Sequence, residues 1–233
     1  MARVWLSCHH SQFTPLRPAA KTWQKLRAFR YALWKKRVSV AKRNLELAFP
    51  DMDEQEREAL VIENFENTGL ALIETGITWF WPTWRFKQLL IEKDISAVRQ
   101  HAKSGKGVLL CCVHALNLEI TARAFAVLGV PGYGAFRPHN NPAYNFIQYW
   151  GRTHNGNKLI DRKDVKYMIK ILRQGERLFY LPDHDYGRNK SEFVPFFAVE
   201  DACTTTGTSI LAYTSTVPLC QALVSVTTMG STK

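Results

Sequence analysis

Cysteine is scarce and unpatterned in this chain. Of five (Cys8, Cys111, Cys112, Cys203 and Cys220), none shows metal-ligand spacing, and Cys111 and Cys112 adjoin within an apolar run. A disulfide framework and a zinc ribbon are thereby excluded; reduced thiols and a cytosol-facing protein are expected, with no catalytic cysteine and no metal. Long apolar runs are missing too. No segment reaches the ~18 uninterrupted apolar residues that a membrane span requires. The first twenty residues make no signal peptide, because Cys8, His9 and His10, then Pro15 and Pro18, interrupt any apolar core. Internal repeats and low-complexity segments are also absent. Lastly, residues 1–45 contain no Asp or Glu at all.

That last absence carries the charge balance. The chain has 31 basic and 20 acidic residues in 233, a formal net charge of +11. Eleven of the basic residues fall within those acid-free 45 positions, so the remainder is neutral. Trp23, Leu26, Phe29, Tyr31, Leu33, Trp34, Val38 and Val40 are interleaved with them at roughly helical spacing. Such a segment suits a helix lying on an anionic membrane surface. The same composition could bind nucleic acid, or be a solvated helix with its aromatic side on the main domain. The membrane surface is the favoured reading, and no nucleic-acid partner is expected.

What is present in quantity is apolar material, 46 % of residues, ample for a core. Three regions are expected: an irregular stretch over 1–20, a basic and amphipathic helical region over 21–104, and an α/β core over 105–233. Asp53, with Glu56 three residues on, reads as a capping box that opens an amphipathic helix running toward Trp79-Phe80-Trp81-Pro82. Clustered aromatics there fit a core, or else an apolar patch beside a lipid chain.

From residue 105 strand and helix alternate. Expected strands lie at 107–113, 132–136, 177–181 and near Val217; expected helices lie at 117–128, 141–151, 163–173 and 205–214. Alternation with buried-looking strands predicts a mostly parallel sheet flanked by helices, preceded by the N-terminal helical region. Sites in such sheets open at the carboxyl ends of strands. His114, Arg137 and Asp183 each follow a predicted strand, which puts all three on one rim.

The most informative stretch is His114-Ala-Leu-Asn-Leu-Glu119, directly after the apolar run Gly107–Val113. A histidine with a carboxylate five residues on can be a general base steadied by an acid. Five residues is roughly 140° on an ideal helix, so the two meet only if His114 lies in the turn and Glu119 in the first helical turn. Asn117 is a candidate N-cap and Thr204 to Thr206 cap the last helix. Alone, His-x4-Glu is a common chance pattern.

It does not stand alone. Gly134-Ala-Phe-Arg137-Pro138, Trp150-Gly-Arg152, Leu181-Pro-Asp183-His-Asp185-Tyr-Gly187, Val194-Pro-Phe-Phe197 and Thr204-Thr-Thr-Gly207 follow in order. With Arg43-Asn-Leu-Glu-Leu-Ala-Phe-Pro50 and Glu63-Asn-Phe-Glu66, this set resembles the lipid A biosynthesis acyltransferases, close to the lauroyl or palmitoleoyl branch, from about residue 26 to about 216.

The resemblance implies a glycerolipid-acyltransferase-like fold and transfer of a fatty acyl chain from acyl-acyl-carrier-protein to a hydroxyl of Kdo-lipid IVA. It implies His114 as general base with Glu119 orienting it, and no cofactor. Arg137, Arg152 and Asp183 match further polar positions of the family and are expected at substrate. The two guanidinium groups would engage phosphate, while Asp183 either takes part directly or ion-pairs with an arginine. His184 and Asp185 form a second acid–base pair or, more simply, tighten the turn ending at Gly187. The implied partners are acyl carrier protein, the lipid acceptor and an anionic membrane surface, at the cytoplasmic face of the inner membrane. Residues 1–22 and the stretch after Leu219 depart from the family pattern, so truncation or a shifted frame at both ends is expected. The alternatives are a glycerol-phosphate-type acyltransferase and an inactive fragment that binds a membrane surface.

Overall fold

A computed structural model describes residues 35–90, 95–184, 187–189 and 191–221. The aromatic-basic segment before residue 35 and the tail after 221 lie outside them. Helix α1 (Lys35–Ala48) leads into α2 (Glu54–Phe80), a 27-residue helix whose length is about 40 Å at 1.5 Å per residue. The start of α2 follows the expected capping chemistry, as Asp53 accepts the Glu56 N–H at 2.8 Å and Glu54 and Glu56 face the positive end of the helix dipole. It stops because Pro82 holds Trp81 in extended backbone, with ψ of 144°. Short helices α3 (Thr83–Lys87) and α4 (Ser96–Lys103) follow. Among the described residues, no helix is long and apolar enough to cross a membrane.

The remainder alternates as β1 (Val108–Cys111), α5 (Leu118–Val127), β2 (Tyr133–Phe136), α6 (Pro142–Thr153), β3 (Lys158–Asp161), α7 (Val165–Arg173) and β4 (Arg177–Tyr180). A hairpin of β5 (Ser191–Phe196) and β6 (Val199–Thr205) precedes α8 (Gly207–Ser215) and β7 (Leu219–Gln221). Five strands form one sheet in the order β3-β2-β4-β1-β7, every pair parallel. The α/β class and the flanking helices are as the sequence predicts. Strand β3 and the hairpin are additions, and α5 begins at Leu118 with Asn117 in the cap position making no side-chain capping bond.

Alternation along the strands divides the core. Val108 and Leu110 face one side, with Ile120, Ala124 and Phe125 of α5 and with Phe86 of α3. Leu109 and Leu178 face the other, with Met168, Ile171 and Leu172 of α7 and Leu211 of α8. The central strands β1 and β4 are covered on both faces, which is why their sequences read as apolar runs. Gly107 permits β1 to enter under α7, since a Cβ there would lie 2.0 Å from the Leu172 carbonyl oxygen. The connection leaving β1 passes to the α5 side and the one leaving β4 reaches α8 on the opposite side. The chain therefore parts between these two neighbouring strands, opening a crevice at their carboxyl ends.

Of the aromatic cluster after residue 78, only part is core. Trp79 is buried, whereas Phe80 and Trp84 are 61 % and 66 % exposed.

Candidate active site

The parallel register sets the centre of the crevice. Cys111 pairs with Tyr180, and the Cys112 N–H donates to the Tyr180 carbonyl at 2.9 Å. His114 and Asp183 each stand three residues beyond that pair, so they arrive side by side. The His114 main-chain N–H donates to Asp183 Oδ2 at 2.7 Å, and the ring Nδ1 lies 2.6 Å from Asp183 Oδ1. His184 stacks flat on the His114 ring, centroids 3.8 Å apart at 13°. Partial burial pulls the Asp183 carboxyl upward, but the two bonds from His114 and its charge outweigh this and hold it below the ordinary carboxylate range. An ionised Asp183 accepts only, so the proton between the two rests on Nδ1. In the neutral imidazole, Nε2 then carries the lone pair.

This pairing corrects one expectation: the carboxylate on His114 is Asp183, not Glu119. Glu119 does sit in the first turn of α5, yet its side chain turns to other partners. Arg152 of α6 binds it through Nε, 2.9 Å from Oε1 and 3.2 Å from Oε2, and through a second contact from Nη2 to Oε1. The Trp79 indole N–H donates to Oε2 at 3.0 Å. Arg152, expected on phosphate, is engaged by Glu119 through Nε and Nη2 while it lines the cavity. Glu119 and Arg152 side chains are 17 % and 26 % exposed, so each needs the other: an unpaired charge in that setting would be costly.

Helix α2 is pinned to this group by Arg123 of α5. Its guanidinium donates to the carbonyls of Thr78 at 2.5 Å, Ile77 at 3.3 Å and Trp81 at 2.7 Å, at the carboxyl end of α2. Its plane also lies over Phe86, 4.3 Å from the ring centre. Burial lowers the Arg123 pKa. Gly151 of α6 allows the close approach of Trp79, because a Cβ there would fall 2.4 Å from the indole.

His114, Glu119 and Arg152 line a cavity of about 560 Å³. Leu118, Phe136 and Leu159 supply apolar wall, while Arg137, Arg162 and Lys163 bring positive charge to it. Arg137 follows β2 as expected. Arg162 and Lys163 were not anticipated from the sequence, because β3 carries only Leu159 and Ile160 between Lys158 and Asp161. Recognised as a strand, it would have placed both residues on the rim by the logic applied to Arg137. Trp79 was also missed as a site residue, though a buried indole N–H must find an acceptor. Thr205 reaches the cavity, and its hydroxyl accepts the Gly207 N–H at 3.2 Å. Thr206 occupies the cap position of α8 without a side-chain capping bond.

Cys112 also lines the cavity, but burial, then Cys111 and Asp183, push its thiol up to about 12. It stays protonated at neutral pH and is a poor nucleophile.

An imidazole paired with a carboxylate thus stands at a cavity of about 560 Å³ that three cationic side chains also line. Comparison with known proteins assigns the family. The description "Bacterial lipid A biosynthesis acyltransferase" matches residues 8–227, beyond both ends of the stretch 26–216. The lipid A biosynthesis lauroyltransferase of Escherichia coli K12 is 47 % identical over 178 residues, 76 % of this chain and 58 % of that protein. A lipid A biosynthesis acyltransferase of Haemophilus influenzae is 46 % identical over 180 residues, covering 77 % and 57 %. The Escherichia coli K12 lipid A biosynthesis palmitoleoyltransferase is 38 % identical, covering 76 % and 58 %. The chain belongs to the bacterial lipid A biosynthesis acyltransferase family. It spans a little under three fifths of the length of these relatives.

Proposed function

We propose that the chain carries the acyl-transfer centre of an enzyme that moves a fatty acyl group from acyl-acyl-carrier-protein to a hydroxyl of Kdo-lipid IVA. The observation that carries this reading is the His114–Asp183 pair standing at a cavity of about 560 Å³, room for a fatty acyl chain. A secondary hydroxyl is a weak nucleophile near neutral pH. His114 Nε2 takes its proton as the oxygen attacks the thioester carbonyl. The tetrahedral intermediate then collapses, the carbon–sulfur bond breaks, and the imidazolium returns the proton to the departing thiolate. A positioned base contributes roughly 10²–10⁴-fold. Asp183 holds the tautomer and stabilises the imidazolium without accepting the proton, the logic of a triad in which the substrate supplies the nucleophile. No covalent acyl-enzyme is needed.

Glu119 serves the reaction through Arg152 and Trp79. The three fix α5, α6 and α2 against one another and hold the cavity wall beside His114. Arg137, which has no ion-pair partner among the described residues, faces a phosphate of donor or acceptor.

Placement at the cytoplasmic face of the inner membrane fits the acid-free basic segment of residues 1–45. It is also favoured by Phe80, Trp84 and Phe146, each more than 60 % exposed, with Phe80 packing on Trp150 at 5.5 Å. Exposed Trp and Phe side chains suit an apolar face buried at a membrane interface.

The test supplies lauroyl-acyl-carrier-protein with either Kdo-lipid IVA or glycerol phosphate and follows acyl product. Product on Kdo-lipid IVA alone is expected. Product on glycerol phosphate instead would replace this reading with the glycerol-phosphate type, and none on either would leave a membrane-surface binding fragment.

A further inference from the structure

The turn after β3 carries two cations that acyl transfer at His114 does not use. In the β2–β3 register Phe136 pairs with Asp161, so Arg137 and Arg162 emerge at adjacent positions. The Arg162 N–H donates to the Phe136 carbonyl at 3.0 Å, joining the two strand ends. The Lys163 N–H donates to Asp161 Oδ1 at 2.8 Å, a side-chain turn that folds the chain toward Asp164, the N-cap of α7. Arg137, Arg162 and Lys163 all line the cavity and all are exposed, and none has an ion-pair partner among the described residues. Three cations on one rim without an ion-pair contact repel one another, Asp161 and Asp164 offsetting this in part, and an anion between them lowers the repulsion further.

We propose that Arg162 and Lys163 complete, with Arg137, a phosphate-binding subsite at the end of the cavity remote from His114. Strand spacing gives the scale: β2 and β3 lie two and three strands from β1, so the subsite stands about 10–14 Å from the imidazole column at 4.7–4.9 Å per strand. Two sources of phosphate follow from that function: the sugar headgroup of the acceptor, and the phosphodiester of the donor's pantetheine arm. Which substrate supplies it rests on the function proposed above; the anion chemistry does not.

The experiment uses the full chain carrying His114→Ala, which binds without turning over. Affinity is measured for the phosphorylated lipid precursor and its dephosphorylated form, and for acyl carrier protein with and without its pantetheine arm. Adding Arg162→Gln and Lys163→Gln is expected to weaken one phosphate-bearing ligand about tenfold to a hundredfold and leave its phosphate-free counterpart unchanged. The ligand affected names the source. Unchanged affinity for both phosphate-bearing ligands, or equal losses with and without phosphate, overturns the subsite. In the chain with His114 intact, the same two substitutions are expected to raise KM for that substrate while sparing kcat. Phosphate-dependent binding without any acyl transfer would reject the function and keep the subsite. Transfer with neither affinity altered would do the reverse.

Discussion

Asp183 holds His114 by two bonds at once, one to the ring and one to the main chain. The parallel β1–β4 register produces this arrangement, and it separates orientation of the base from the short-range His-x4-Glu spacing. An aspartate 69 residues away in sequence does what a neighbouring glutamate was expected to do.

Asp183→Asn tests the tautomer argument. The amide preserves size but can present a donor to Nδ1, which favours the proton on Nε2 and removes the base. A fall in kcat of about 10²–10⁴-fold is expected, with KM for either substrate changed little. Steady-state kinetics measure it, and near-UV circular dichroism verifies that the fold is kept.

Glu119 and Arg152 should behave differently. Substituting Glu119→Gln leaves a half-buried guanidinium without its counter-charge and weakens the acceptor for Trp79. Urea denaturation is expected to show a loss of about 1–3 kcal/mol. Adding Arg152→Gln to it should cost less than the two single losses combined, because the two act as one unit. Additive losses would mean that the pair is not coupled.

Much of the fold was legible because the central strands are buried on both faces. Gly107–Val113 and Arg177–Leu181 read as apolar runs for that reason, and Asp53 with Glu56 announced α2. Strand β3 was hidden, having two apolar residues between a lysine and an aspartate. The hairpin was hidden because Pro195 lies within β5 and Phe193, Val194 and Phe196 face solvent, against the usual strand pattern. At the site, the shared rim of His114, Arg137 and Asp183 was expected because each follows a predicted strand of a parallel sheet. Partner choice did not, because it depends on which residues stand opposite in register, and spacing along the chain holds no such information.

Gly151 offers a packing test of the contact that holds the cavity wall. Gly151→Ala puts a methyl group into the Trp79 indole, which Glu119 already holds in place. Overpacking of this kind costs typically about 1–3 kcal/mol. Lower thermal stability is expected, with altered tryptophan emission as the indole leaves Glu119.

The pH dependence follows from the depressed Asp183 carboxyl. A free aspartate titrates at about 3.9, and here the folded value is lower. The stability contributed by the His114–Asp183 pair is therefore complete above the unfolded value and disappears as pH falls through the folded one. Denaturant titrations of the parent and Asp183→Asn from pH 7 to pH 3 should show the parent's advantage shrinking only at the acid end. A constant gap across that range would remove the carboxylate from the explanation.

The central claim is that the His114 imidazole removes the proton from the acceptor hydroxyl. Single-turnover acyl transfer to Kdo-lipid IVA, with enzyme in excess over lauroyl-acyl-carrier-protein, measures that step for the parent and His114→Ala without interference from product release. A rate lowered about 10²-fold or more in the variant, with both substrates still bound, is the predicted result. Equal single-turnover rates would contradict it.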